Sequence, residues 1–204
     1  AKRTGVEKLT PARALVAEMV RRYSLLGIEC SILEVQKLGW FLERGVKRFG
    51  GSDALKFRFQ ANKYGPYSHN LTKLLDSLDG SYLRCDKRLA DADPLDLIWF
   101  NDAKYDRVQA YLNSGEGKQF SSVLEWASAT IDGFESPLGM ELLATVDWMM
   151  QHDDIEPTVE GVMEGLKDWA GGEVAGQRKL KIFDRRLVAI ALGQLQISNR
   201  LPAC

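Results

Sequence analysis

The pattern of hydrophobic and polar positions predicts two helices at the start of the chain. Hydrophobic side chains recur every three or four residues in the first: Leu15, Val16, Met19, Val20 and Tyr23. Thr10 and Pro11 have the residue types of a helix N-cap and first turn, and Gly27 is a suitable end. A capping box from Ser31 to Glu34 predicts a second helix that runs to Gly45.

The rest of the chain adds more helices and a few extended segments. A short helix is predicted from His69 to Leu78, and from Asn101 onward the period is helical throughout. The later helices are expected at 102–113, 119–132, 137–151, 158–170 and 184–197. Their predicted caps include Asn101, Ser136, Thr158 and Asp184. Ala170–Gly176 is expected to be a flexible connector.

Extended segments are few and short. Phe57–Ala61 alternates, Lys63–Ser68 is predicted to be a turn, and Ser81–Cys85 is expected to pair with Leu95–Phe100. The predicted fold is therefore mainly α with a small antiparallel β element (α+β), a helical bundle-like single domain.

Composition agrees with an ordinary globular domain. The 204 residues are 45% hydrophobic and 27% charged, a length that can bury a core without disulfides. Cys30, Cys85 and Cys204 form no C-x-x-C pair, which favours a reducing, cytoplasmic setting. No hydrophobic run approaches the length of a membrane span.

Candidate catalytic chemistry is sparse. His69 and His152 lie at no metal-ligand spacing, and both are interpreted as structural or surface residues. Cys30, just before a helix, is the only position suited to a thiolate nucleophile. None of the catalytic or nucleotide-binding motifs considered is present. We therefore predict no catalytic residue, no metal ligand and no cofactor.

Charge is distributed unevenly along the chain. Between Gln119 and Leu166 there is no lysine or arginine, while ten acidic residues give this stretch a net charge of −10. The whole chain sums to −1, so the remainder is strongly basic. Glu141 and Asp147 lie opposite the apolar face of the predicted 137–151 helix, and we expect both to be exposed. Such a charge separation favours an acidic binding surface for a cationic partner.

Direct nucleic-acid binding is not expected. Basic residues cluster in the first fifty positions, and the helices at 158–170 and 184–197 could imitate a helix-turn-helix. Their connector is too long for that motif, however, and the isoelectric point near 6.2 opposes a DNA-binding domain.

Two sequence segments resemble a known protein family. The segment Gly133–Trp148 resembles part of the C-terminal half of DarG-type antitoxins, and Lys63–Leu71 resembles their Tyr-Gly-Pro turn. Leu9–Leu15 and Leu33–Phe41 follow in the order of that family. The resemblance covers roughly residues 9 to 195, and the Tyr-Gly-Pro turn alone also occurs in Panacea-type antitoxin domains.

The resemblance implies a function in binding. A complete DarG-type protein has a macrodomain that removes ADP-ribose from thymidine in single-stranded DNA, and a C-terminal domain that binds the DarT toxin. The toxin attaches ADP-ribose from NAD. We expect residues 1–8 to be a tail and 9–198 to be the toxin-binding domain, with the macrodomain fused or adjacent in the complete protein. The chain itself is then expected to be no enzyme, in a bacterial cytoplasm.

The predicted mechanism is DNA mimicry. An acidic face could occupy the basic DNA channel of a DarT-type ADP-ribosyltransferase toxin and steer association. The candidate acids are Glu135, Glu141, Asp147, Asp153, Asp154 and Glu156, with Asp91, Asp93 and Asp96 as a second acidic loop. Tyr64, Tyr67 and Phe134 are candidate aromatic anchors.

Two alternatives remain open from the sequence. The chain could be a DNA-binding transcriptional autoregulator of a toxin–antitoxin operon. It could also be a hydrolase that uses Cys30 or His69.

Overall fold

The computed structural model describes residues 4–50 and 53–202. Within them the chain is a single α+β domain, as the sequence predicts. The helices are α1 (Pro11–Leu25), α2 (Ile32–Arg48), α3 (His69–Leu78), α4 (Tyr105–Leu112), α5 (Ser121–Ile131), α6 (Pro137–His152), α7 (Val159–Gly165), α8 (Glu173–Ile182) and α9 (Arg185–Ser198). The strands are β1 (Cys30–Ser31), β2 (Gln60–Asn62), β3 (Gly65–Tyr67), β4 (Leu83–Cys85) and β5 (Leu97–Phe100).

Most predicted helix caps are confirmed. The side chain of Ser31 accepts a hydrogen bond from the backbone of Glu34, and the carboxylate of Glu34 accepts from the backbone of Ser31 in return. Thr10, Ser136, Thr158 and Asp184 also cap the helices that follow them. Asn101 makes no such bond, because a short 3-10 turn precedes α4 and delays its start to Tyr105.

The predicted strand pair forms, with an additional strand. β4 pairs antiparallel with β5, and β1 joins the other edge of β5 with Cys30 opposite Ile98. A separate hairpin joins β2 and β3, in which Asn62 is opposite Gly65. This hairpin replaces the simple turn expected at Lys63–Ser68 and positions the candidate site.

Helix α2 is central to the core, where it contacts α1, α5 and α6. Trp40 and Phe41 are both fully buried on it. The second half of the core is built on α6, which contacts α2, α9 and β3. Every residue of α6 from Met140 to Met149 is buried, so this helix has no solvent-facing side over that length.

The expectation of a flexible connector at Ala170–Gly176 is wrong. Gly172 has a φ of 109°, and α8 begins directly after it at Glu173. Gly176 lies inside α8, where a β-carbon would come within 2.6 Å of the Leu166 carbonyl oxygen. The glycine therefore permits close packing of α8, although in sequence it resembles a linker.

None of the helices in the described part of the chain is long and apolar enough to cross a membrane. Cys204 and the first three residues of the predicted tail lie outside the described residues.

Candidate functional site

A cavity of about 400 Å³ opens beside the β2–β3 hairpin. Helix α2, the hairpin, α3 and the loop before β5 all contribute to its wall. We call it the turn pocket, and its lining residues are Ile32, Leu33, Gln36, Lys37, Asn62, Lys63, Tyr64, Gly65, Tyr67, Thr72, Leu75, Leu89, Ala90, Ala92 and Pro94. Its volume lies within the range of about 300–1,000 Å³ that is usual for small-molecule sites.

The turn pocket has an apolar end and a cationic end. The backbone nitrogen of Leu33 donates to the Pro94 carbonyl oxygen at 2.8 Å, which places the start of α2 against the apolar loop. One helical turn further along, the Lys37 ammonium donates to the Pro66 carbonyl oxygen at 3.0 Å, next to the hairpin. The exposed Lys63 adds a second amine on the hairpin side. The pocket thus suits a ligand with an apolar body and an anionic group.

The hairpin is held in place from three sides. Besides the bond from Lys37, the indole nitrogen of Trp169 donates to the Asn62 carbonyl oxygen at 3.0 Å. On the α6 side, a β-carbon on Gly65 would come within 2.9 Å of the Thr145 hydroxyl oxygen. Gly65 also has a φ of 97°. A glycine is therefore required for both the backbone angle and the close approach of hairpin and helix.

An ion cluster centred on the buried Glu141 lies behind the hairpin. Glu141, only 2% exposed, accepts from the Lys179 ammonium at 2.7 Å and from Arg178 at 2.6 Å. Lys179 is fully buried, and burial lowers its pKa while Glu141 acts in the opposite direction. The Arg178 guanidinium also lies 4.9 Å from the ring centre of Tyr64. We call Glu141, Arg178 and Lys179 the Glu141 cluster.

Lys37 is a buried lysine in the pocket wall. It is 2% exposed, and burial lowers its pKa from the ordinary value of 10.5 to about 7. The positive charge of Lys179 lowers this pKa further, whereas Glu141 raises it. A lysine that changes its protonation near neutral pH at the wall of a cavity is a typical feature of functional sites.

The expected exposure of Glu141 and Asp147 is wrong. Asp147 is 1% exposed, and one of its carboxylate oxygens accepts from the indole nitrogen of Trp40 and from Arg44, each at 2.9 Å. The helical period of α6 shows one apolar face. It does not show that other elements cover the opposite face with buried cations that pair with both acids.

Ion pairs within the fold neutralise much of the 119–166 stretch. Besides Glu141 and Asp147, three acids of this stretch pair with bases outside it. These pairs are Glu125 with Arg22, Glu160 with Arg185 and Glu164 with Lys167. Half of the acids of this stretch are therefore paired within the fold.

The candidate anchors do not form one surface. Tyr64 and Tyr67 are half-buried at the hairpin and line the turn pocket. The Tyr67 hydroxyl lies 3.1 Å from that of Thr72, and Lys63 and Arg178 both approach the Tyr64 ring. Phe134 is buried in the hydrophobic core before α6.

The remaining candidate acids are spread over separate loops. Glu135 is half-buried and accepts from the Gly133 backbone nitrogen. Asp153, Asp154 and Glu156 are exposed on the segment after α6.

In the second acidic loop, Asp91 and Asp93 are exposed and Asp96 is half-buried. Lys87 binds both Asp93 and Asp96, and Arg88 lies 4.0 Å from Asp91. Bases of the same loop therefore offset much of its negative charge.

The surroundings of Cys30 do not suit a nucleophile. Cys30 is buried, and burial raises the pKa of its thiol well above the ordinary value, which opposes thiolate formation. His69 is exposed at the start of α3, and the ring of His152 stacks on Trp148 with ring centres 3.9 Å apart. Among the described residues, no group of three or more His, Cys, Asp or Glu is arranged to hold a metal ion.

Sequence reasoning missed the residues that define the turn pocket other than Tyr64 and Tyr67. Lys37 and Gln36 lie within the predicted second helix, where a polar pair normally indicates a solvated face. One signal was available, because Lys37 is one turn before Phe41 and one turn after Leu33 on an otherwise apolar face.

Nearly the whole chain is similar in sequence to known proteins. A protein named DNA ADP-ribosyl glycohydrolase from Thermus aquaticus is 30% identical over 191 residues, which is 94% of this chain and 46% of the relative. Proteins of the same name from Mycobacterium bovis and Mycobacterium tuberculosis are each 27% identical over 209 residues, 94% of this chain and 54% of theirs. The chain thus spans about half the length of the curated relatives it matches. No protein family model matches it.

These comparisons support the DarG relation and correct the predicted function. The relatives are named for a hydrolytic enzyme, so the prediction of an antitoxin domain that neutralises a DarT-type toxin by DNA mimicry is wrong, as is the alternative of an operon autoregulator. The prediction that the chain is no enzyme is contradicted by the same names. Toxin contact, a fused macrodomain and the domain limits stay predictions. What the comparisons establish is that this chain is related, over 94% of its length, to part of proteins named DNA ADP-ribosyl glycohydrolase.

Proposed function

We propose that this chain forms part of a DNA ADP-ribosyl glycohydrolase and that its turn pocket holds the modified DNA. The observation that carries the proposal is the similarity to proteins of that name across nearly the whole chain. Such an enzyme adds water across the bond between the ADP-ribosyl group and DNA and leaves free ADP-ribose and unmodified DNA.

The turn pocket supplies groups that suit binding of this substrate. An ADP-ribosyl group combines flat and sugar-like parts with a doubly charged diphosphate. Leu75 and Leu89 offer apolar surface, Lys63 offers a positive charge, and Asn62 adds an exposed amide to the wall. A few polar groups in a mainly apolar cavity are the usual composition of a small-molecule site.

The Glu141 cluster contributes rigidity to this site. Glu141 has contacts within 3.2 Å to both Arg178 and Lys179, and Arg178 continues to the Tyr64 ring. The salt bridges join α6 to α8, and the contact of Arg178 with Tyr64 links this pair to the hairpin. A pre-formed pocket loses less entropy when a ligand binds.

The proposal is tested by measuring the release of ADP-ribose from an ADP-ribosylated DNA oligonucleotide. The assay is run with this chain and with a protein of the full length of the relatives that contains it. We expect release by at least one of the two, and a lower rate when Ala90→Trp fills the exposed rim of the turn pocket. Ala189→Trp, at an exposed position of α9 away from the pocket, is the matched control.

Two outcomes would contradict the proposal. If neither protein releases ADP-ribose, the chain is not part of such an enzyme. If Ala90→Trp and Ala189→Trp both retain the full rate, the turn pocket has no part in holding the substrate.

A further inference from the structure

The ammonium group of Lys37 has donor capacity that the described residues do not use. A protonated lysine has three N–H donors, and among the described residues the Lys37 ammonium donates one hydrogen bond, to the Pro66 carbonyl oxygen. The side chain lines the turn pocket and is 2% exposed. A buried cation with unused donors next to a cavity is well placed to bind an anion that enters it.

Lys63 adds a second amine to the cavity that Lys37 lines. Lys63 lies on the hairpin turn, three residues before Pro66, and lines the same cavity. The two amines therefore come from α2 and from the hairpin. The apolar surface of Leu33 and Pro94 lies at the other end of the pocket.

We propose that the turn pocket binds the diphosphate of an ADP-ribosyl group, with Lys37 and Lys63 as donors. The choice of ADP-ribose over another nucleoside diphosphate rests on the proposed function. The anion-binding role of the two lysines rests on the geometry of the pocket.

Proton uptake by Lys37 on binding is expected because burial, more than any neighbouring charge, disfavours its charged form in the empty pocket. Lys179 on α8 disfavours the charged form of Lys37, and Glu141 on α6 favours it; Arg178 pairs with Glu141, and Lys63 faces the same cavity. Asp91 and Asp93 lie on the loop near the pocket rim. A bound diphosphate adds two negative charges beside Lys37 and raises its pKa above the value of about 7 in the empty pocket.

The sign of the pH dependence is fixed by this shift. The charged form of Lys37 binds the diphosphate, so affinity is highest below the pKa of the empty pocket, about 7. Affinity then falls as pH rises from that value toward the higher pKa of the complex, by up to about tenfold per pH unit.

The test is calorimetric titration of the chain with ADP-ribose across a pH series from about 6 to about 9. ADP-ribose is the suitable probe because both of its phosphates are esterified, so its charge does not change over this range. We expect the dissociation constant to rise at least about tenfold across the series. Repeating one point in buffers with different ionisation enthalpies measures proton uptake directly.

Three variants assign the effect to its source. Lys37→Met should weaken binding about tenfold or more at the lowest pH and remove the pH dependence. Lys63→Gln should weaken binding but keep the pH dependence, because Lys63 is exposed. Lys118→Gln, an exposed lysine away from the pocket, should change neither.

The outcomes separate this inference from the proposed function. If ADP-ribose does not bind, or binds with the same pH dependence in Lys37→Met, the inference fails even when ADP-ribose is released from DNA in the activity assay. If ADP-ribose binds with proton uptake at Lys37 but neither protein releases it from DNA, the proposed function fails and the anion site stands.

Discussion

At the residue scale, the two lysines and one glutamate behind the hairpin are the unusual feature of the molecule. Lys37, Lys179 and Glu141 are each at most 2% exposed. Burial of charges is unfavourable unless they are paired, and here two buried cations face one buried carboxylate. The arrangement leaves Lys37 near its point of deprotonation at neutral pH.

Removal of the shared carboxylate should be costly. Glu141→Gln leaves Lys179 buried with a neutral partner, and we expect the free energy of unfolding to fall by roughly 3–5 kcal/mol. Urea denaturation at neutral pH measures the change. Glu164→Gln is the matched control, since Glu164 pairs with Lys167 on the surface and should cost less than about 0.5 kcal/mol. Equal effects of the two substitutions would contradict the role of the Glu141 cluster.

Removal of the Lys37 charge should have the opposite effect. The folded-state pKa of Lys37 lies below its ordinary value of 10.5, so between about 7 and 10.5 the unfolded chain binds more protons at this group. Lys37 therefore makes the wild-type chain more stable as pH rises through that window and least stable below it. Lys37→Met should raise the free energy of unfolding at neutral pH by roughly 1–3 kcal/mol, after loss of the bond to Pro66.

Denaturant titrations at neutral pH and near pH 10 check this sign. The advantage of Lys37→Met should shrink as pH rises, because the wild-type lysine is then neutral in the folded state. Lys63→Met, at an exposed position, should show no such trend. A constant difference at both pH values would mean that Lys37 is charged throughout.

At the element scale, the β2–β3 hairpin positions the turn pocket. It contacts α2 through Pro66, α6 through Gly65 and the segment before α8 through Asn62. Only two bonded strands of three residues form it, and isolated hairpins of this kind are marginal in water. Its contacts with α2, α6 and the segment before α8 therefore maintain it.

The close approach at Gly65 gives a specific prediction. Gly65→Ala forces a side chain at a φ of 97° and places its β-carbon 2.9 Å from the Thr145 hydroxyl oxygen. Gly27→Ala meets a similar φ of 72° at the end of α1 but no atom within 4 Å. We expect Gly65→Ala to cost at least about 1 kcal/mol more than Gly27→Ala in thermal or urea unfolding. A smaller cost at Gly65 would show that the hairpin moves freely away from α6.

The helices were largely predictable because their signals are local. Caps such as Ser31 and Ser136 specify where α2 and α6 begin. The hairpin and α8 were missed because their formation depends on distant partners. Gly65 and Gly176 lie in segments whose composition is typical of loops. Yet Gly65 permits close packing against Thr145, and Gly176 permits close packing against Leu166.

At the scale of the whole molecule, the 119–166 stretch connects the two ends of the chain. Its acids pair with Arg22 and Arg44 from the first two helices and with Arg178, Lys179 and Arg185 from the last two. A sequence shows the separation of charge but not which charges meet on folding. For this reason the acidic stretch suggested an external partner.

Two groups of acids in this stretch should respond differently to substitution. Asp147→Asn removes the charge that Arg44 and Trp40 contact in the interior, and we expect a loss of roughly 2–4 kcal/mol in the free energy of unfolding. Asp153 and Glu156 are exposed. The double substitution Asp153→Lys/Glu156→Lys should leave the free energy of unfolding within about 0.5 kcal/mol of wild type. Urea denaturation of both proteins makes the comparison, and a large loss in the exposed pair would contradict this division.

The site was less predictable than the fold. Tyr64 and Tyr67 were identified from the sequence and do line the turn pocket, but they were proposed as anchors for a protein partner. Lys37 gave no strong signal, because its burial depends on α6, α8 and the hairpin together. The pocket is formed by segments distant in sequence, which single-sequence patterns do not bring together.

The most direct test of the central claim compares binding of two DNA oligonucleotides that differ only in one ADP-ribosyl group. Fluorescence anisotropy of labelled oligonucleotides with the wild-type chain measures both affinities at about pH 6.5. The account predicts that the modified oligonucleotide binds at least about tenfold more tightly, that free ADP-ribose competes, and that Ala90→Trp removes the difference. Equal binding of the modified and unmodified oligonucleotides would contradict it.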